Sequence, residues 1–240
     1  MAQIAEIASV RASAPTFLQR IVLARGWTRR AIAFCAGATG ALALAPFDFI
    51  PAMFAPLTVA VWLIDGAADE DSPRFALAPI FSAAGAGWWL GFGYFVAGLW
   101  WMGAAMLVEA DQFAWALPLA VFGLPAVLAF FPAAGFAVAR LLWSPGGARI
   151  FALAAGLGAA EWLRGHLFTG FPWNDFGMAL TSVGPMAQTA SLVGLHGLDI
   201  IAIAIFTAPA TLIDRAPRCA APIPGPTLAP APSLPYLQVC

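Results

Sequence analysis

Apolar residues in this chain come in long unbroken runs, punctuated by short clusters of arginine, acidic residues, glycine and proline. Ala76 to Val108 holds no charged residue in 33 positions, and Gln112 to Ala139 holds none in 28. The hydrocarbon core of a bilayer is about 30 Å thick and needs about 20 apolar residues in a helix, so each run is long enough to cross it even when tilted. Reading runs between breaks predicts six membrane segments, at residues 31–45, 50–64, 76–108, 113–142, 149–167 and 193–213. The first two are short, and Pro51 and Pro56 interrupt the second. That pair is read as two short spans or as a shallow, re-entrant hairpin; either way the two chain ends fall on one side.

The predicted fold class is therefore all-α: a polytopic transmembrane helical bundle over 31–213, behind a cytoplasmic N-terminal segment, 1–30. Residues 214–240 hold seven prolines and no periodicity, which predicts a disordered tail or a stretch read in another frame. Ala43-Leu44-Ala45 looks like a signal-peptide cleavage site, but the leader would be too long. It is read as part of the first membrane segment.

Composition excludes a soluble domain. Hydrophobic residues make up 62% of the 240 and charged ones 10%, against roughly a quarter charged in soluble domains; the mean hydropathy is +0.85. All 11 basic residues are arginines. With a net charge of -1 and no basic-aromatic cluster, no nucleic-acid partner is expected. With the N-terminus in the cytoplasm, every arginine except Arg164 falls on the cytoplasmic side, a strong positive-inside asymmetry. Both termini are accordingly expected in the cytoplasm. Trp62, Trp115 and Trp143 near segment ends are expected at the interfaces. Ala83, Gly87 and Gly91, four apart, predict a face for close helix packing, and Pro118, Pro125 and Pro132 predict bends in the fourth segment.

Candidate chemistry concentrates in Glu161-Trp162-Leu163-Arg164-Gly165-His166 and the following Thr169-Gly170-Phe171-Pro172-Trp173-Asn174-Asp175. Ionisable residues at membrane depth are costly and mark function by default. Glu161 and Arg164, three apart, share a helical face and can pair; mutual neutralisation at the outer interface is the plainer alternative. Gly170 and Pro172 break the helix and leave Phe171 and Trp173 in an aromatic loop, suited to a lipid or to simple anchoring. Glu161, Arg164, Phe171, Pro172 and Trp173 are thus the candidate substrate-binding residues. His166 and His196, lacking a recognisable carboxylate or cysteine set, make a weak metal pair, so no metal is expected. Asp199 reads as a dipole-complementing residue near a helix start, Asp48 and Asp65 as loop or helix-end residues. Cys35, among apolar neighbours, reads as inert packing, and Cys219 and Cys240 form no framework with it.

The order Leu44-Ala45-Pro46-Phe47-Asp48, Gly91-Phe92-Gly93-Tyr94-Phe95 with Leu99-Trp100-Trp101, Glu161-Trp162-Leu163-Arg164-Gly165, Thr169-Gly170-Phe171-Pro172-Trp173 and Val193-Gly194-Leu195-His196-Gly197-Leu198 resembles the membrane part of apolipoprotein N-acyltransferase, over about residues 30–213. The resemblance implies a bacterial inner-membrane enzyme that moves an acyl chain from a phospholipid donor to the N-terminal cysteine of an apolipoprotein acceptor, without cofactor. It also implies that a glutamate, a lysine and a cysteine in a nitrilase-like domain do the chemistry through a thioester. This chain has no lysine, and no counterpart of that domain is recognisable in it. No catalytic residue is carried over, and the chain is expected to be a truncated product, inactive alone. The competing expectation is a non-catalytic membrane protein that binds lipid or a partner through the same loop. A small transporter is weaker, because no matching pair of broken helices is visible.

Overall fold

The computed structural model describes residues 17–67, 75–144 and 146–213. The acidic triplet 69–71, Arg11, Arg74 and the proline-rich stretch 214–240, with its two cysteines and two arginines, lie outside them. Among the described residues there is no strand. The helices are α1 (Phe17–Val22), α2 (Gly26–Gly40), α3 (Phe54–Asp65), α4 (Leu77–Gly98), α5 (Ala110–Leu141), α6 (Arg149–His166) and α7 (Gly184–Ile213). Of these, α4, α5 and α7 are long and apolar enough to cross a membrane. The fold is an all-α helical bundle of membrane type.

From α2 onward the helices alternate in direction. The starts of α2 and α4 meet around one cavity, and the end of α3 meets the start of α6, where Arg149 Nη1 donates to Asp65 Oδ2 at 2.5 Å. At the opposite end, the close of α6 packs beside the close of α4, placing the Arg164 guanidinium 5.2 Å from the Phe95 ring. The six segments therefore run back and forth between an arginine-rich end and an end that carries Arg164.

Small residues set how closely these helices approach. A side chain on Gly37 would run into the Leu90 carbonyl, and one on Gly93 into the Phe34 carbonyl, so α2 and α4 touch backbone to backbone. The predicted face of Ala83, Gly87 and Gly91 does pack closely. Its partner is α5, where a Cβ on Gly87 or Gly91 would sit 2.7 Å from Phe136 or Pro132 atoms. Helix α5 is broken near its prolines: a π turn (Leu119–Gly123) follows Pro118, Pro125 opens Leu124–Leu128, and Phe130–Leu141 follows with Pro132 in its first turn.

Several expectations are corrected. Helix α2 begins at Gly26, five residues before the apolar run, and takes Arg29 and Arg30 into its first turns. Helix α4 stops at Gly98 rather than continuing to 108, because Leu99 leaves the helical region and Asn174 packs against Gly98. Helix α7 starts at Gly184 and breaks at Gly194, whose φ is 71°. Trp62 and Trp143 are buried within the bundle, Trp143 donating its indole N–H to Asp65 Oδ1 at 2.8 Å, whereas Trp115 is exposed. Asp65 is thereby the internal partner of Arg149, more than a helix end. Cys35 lies on the outward face of α2, not in the packed interior.

Candidate functional site

The loop after α6 folds back on the helix that precedes it. Gly170, at φ 81°, turns the chain where a side chain would strike the Gly165 carbonyl. The next residue, Phe171, donates its backbone N–H to the Arg164 carbonyl at 3.0 Å. The Arg164 guanidinium closes the loop from the other side: Nη1 donates to the carbonyls of Phe171 at 2.5 Å and Trp173 at 2.7 Å, and Nη2 donates to Glu161 and to Asp175. Arg164, Glu161 and Asp175 are each 1% exposed. The predicted Glu161–Arg164 pair forms, and a second carboxylate joins it. An arginine fork suits this task because its donors lie in fixed, diverging directions.

A second tier supports the first. Asp199, fully buried, accepts the Gly177 backbone N–H at 2.7 Å and so ties the turn Phe176–Leu180 to α7. Tyr94 of α4 stacks on Phe176 with ring centroids 5.2 Å apart. Asp199 is thus a structural acceptor between segments as well as a residue near a helix break. His196 sits 3.4 Å from Asp199 through Nδ1, and Asp175, His196 and Asp199 place ligand atoms within 4.8 Å of one another. The carboxylates missing beside the histidines in the sequence are therefore present in space. Asp175 is already engaged by Arg164 and Asp199 by Gly177, so the three read as a polar network that closes the loop on α7. His166 stacks on Trp162 and bonds the Trp162 carbonyl at 2.7 Å through Nδ1, within its own helix.

Beside this network lies an apolar cavity of about 550 Å³ between α5 and the end of α6. Leu128, Phe131, Leu163, Phe168 and Phe171 line it, with Arg164 at its wall. The structure thus brings Arg164 and Phe171 to a cavity, keeps Glu161 behind Arg164, and leaves Pro172 and Trp173 exposed outside it. Trp173 stacks at a tilt with Trp101, centroids 5.1 Å apart. Sequence reasoning missed Asp175 as a partner and Phe168 as a cavity wall. Asp175 stood in the quoted motif but had no periodic relation to Arg164.

The model of the apolipoprotein N-acyltransferase N-terminal domain matches residues 36–208, most of the chain. The chain belongs to the apolipoprotein N-acyltransferase family. It is 55% identical over 194 residues to the apolipoprotein N-acyltransferase of Rhodopseudomonas palustris, covering 81% of this chain and 35% of that protein. The Rhizobium rhizogenes protein of the same name is 50% identical over 206 residues (86% and 38%), and that of Brucella suis 53% over 195 residues (80% and 36%). The chain therefore spans little more than a third of the length of these curated relatives. Family and apolar helices together make it a bacterial membrane protein of an acyltransferase family. The helical network around Arg164 lies within the matched domain.

Proposed function

We propose that this chain forms the lipid-handling membrane part of an enzyme that transfers an acyl chain from a phospholipid to the N-terminal cysteine of an apolipoprotein. The observation that carries this reading is the apolar cavity whose wall holds the buried Arg164 network. It has the size of a small-ligand site and an apolar lining suited to an acyl chain. In this reading Glu161, Arg164 and Asp175 shape the loop, Phe171 and Phe168 contact the chain, and Pro172 and Trp173 meet the headgroup region at the membrane surface. An exposed indole can pack on lipid while its N–H reaches a headgroup oxygen. The chain lies in the inner membrane with both termini in the cytoplasm, which puts the Arg164 loop on the outer side.

These 240 residues contain no lysine, so the nucleophile's partners in the reaction are assigned to residues outside them. A chimera that joins residues 1–213 to the remainder of the Rhodopseudomonas palustris relative tests the proposal by rescue of a strain without the acyltransferase. The chimera is expected to rescue, Leu128→Trp to abolish rescue by filling the cavity, and Trp173→Ala to lower transfer about two- to tenfold with membrane insertion unchanged. Rescue by both variants at full level would favour a loop that only anchors the protein.

A further inference from the structure

At the opposite end of the bundle, a cavity of about 280 Å³ opens between the starts of α2 and α4. Gly26, Arg29 and Arg30 line one side, and Phe81, Ser82, Gly85, Ala86 and Trp89 the other. Helix α2 has 15 residues, no side-chain cap at its N-terminus and no acidic residue in its first turn. Its first backbone N–H groups are left without helical partners, and its dipole presents positive charge there. Instead of the acidic residue that would complement this end, the helix carries two arginines. Arg29 is only 9% exposed; it gives Nη2 to the Leu63 carbonyl at 2.5 Å, and its Nη1 has no hydrogen-bond partner. Arg30 is exposed and lies 4.8 Å over the Trp27 ring. Among the described residues, no carboxylate lines the cavity. Positive charge on the positive end of a helix, with a donor unmatched, is unfavourable until an anion is present.

The rim decides which anion. Phe81, a lining residue, is 70% exposed, and Trp27, whose ring lies 6.2 Å from that of the lining Trp89, is 73% exposed, so large apolar groups flank the cavity. Gly85 is an exposed lining residue whose Cβ would meet nothing within 4 Å, so the cavity is open along that wall. We propose that this cavity binds the phosphate of an anionic phospholipid, held by the start of α2 with Arg29 and Arg30, with the lipid's glycerol and upper acyl chain against Phe81 and Trp89. Basic pockets between membrane helices are suited to such headgroups. This site is separate from the Arg164 cavity and does not depend on what that cavity binds.

The test uses the full 240-residue chain in nanodiscs of phosphatidylcholine with or without phosphatidylglycerol, read by thermal melting and by retained lipid in native mass spectrometry. Phosphatidylglycerol is expected to raise the melting temperature and to be retained over phosphatidylcholine. Gly85→Leu, which places a side chain into the cavity from its open wall, is expected to abolish both effects, and Arg30→Gln to weaken retention about five-fold. If Gly85→Leu does not fold, the Arg30→Gln comparison carries the test alone. An unchanged phosphatidylglycerol effect in the variants would reduce the site to diffuse surface charge and overturn the proposal. So would an equal stabilisation by inorganic phosphate alone, or a lipid effect that emerges only when Asp69, Glu70 and Asp71 are changed to their amides, which would make the acidic segment the occupant.

Discussion

Arg164 holds together groups that approach it from its own helix and from the loop beyond. Removing its side chain leaves Glu161 and Asp175 buried without a cation, and two loop carbonyls without a donor. Breaking one buried ion pair costs about 3 to 5 kcal/mol, so Arg164→Ala is expected to unfold this end of the bundle. Glu161→Gln is expected to be milder, because Arg164 keeps Asp175, and Asp175→Asn milder for the corresponding reason. Combining Arg164→Met with Glu161→Gln and Asp175→Asn is expected to recover much of the loss, since no unpaired charge is then buried. Melting temperatures in detergent check this order; an Arg164→Ala variant as stable as Glu161→Gln would contradict it. Half of this arrangement was legible in the sequence. A spacing of three on a helix announces the Glu161–Arg164 pair, whereas Asp175 and the carbonyls of Phe171 and Trp173 reach Arg164 only through the loop's path, which no period encodes.

Among the elements, helix contacts are governed by where a side chain is missing. Gly93→Ala puts a methyl group into the Phe34 carbonyl across the α2–α4 contact and is expected to cost about 1 to 3 kcal/mol. Gly85→Ala, on the same helix, meets nothing and is expected to be neutral or to gain up to about 1 kcal/mol from helix propensity. Equal melting temperatures for the two variants would remove the close α2–α4 approach from the account. The small-residue face at Ala83, Gly87 and Gly91 could be read from its spacing of four, but not its partner. The end of α4 at Gly98 was hidden, because Leu99-Trp100-Trp101 continues the apolar run and hydropathy does not register a change of backbone direction. Trp62 and Trp143 were misplaced for a related reason. Position near a segment end does not say which way a side chain points, and these two are buried, Trp143 bonding Asp65.

For the whole molecule, six segments that alternate in direction bring Arg149 and Ile213 to one end and Asp111 and Asp175 to the other. Reporter fusions at the first two positions are expected to report cytoplasm and those at the last two the outer side, and an outer signal at both Arg149 and Ile213 would reverse the orientation. The arginine asymmetry that motivates this expectation includes Arg29 and Arg149, which the fold engages internally, so the rule reads a distribution of charge that also does structural work. The helical class and the family were legible because run length and motif order survive in one dimension; the cavity was not, because its walls come from α5 and α6 and meet only after folding. That cavity is the centre of the account, and photolabelling tests it most directly. With a phospholipid carrying a diazirine in its acyl chain, labels are expected to concentrate on Leu128, Phe131, Phe168 and Phe171 and to disappear from them in Leu128→Trp. Labelling spread evenly over outward residues away from both cavities, such as Phe151, Ile205 and Leu212, and unchanged in that variant, would contradict it.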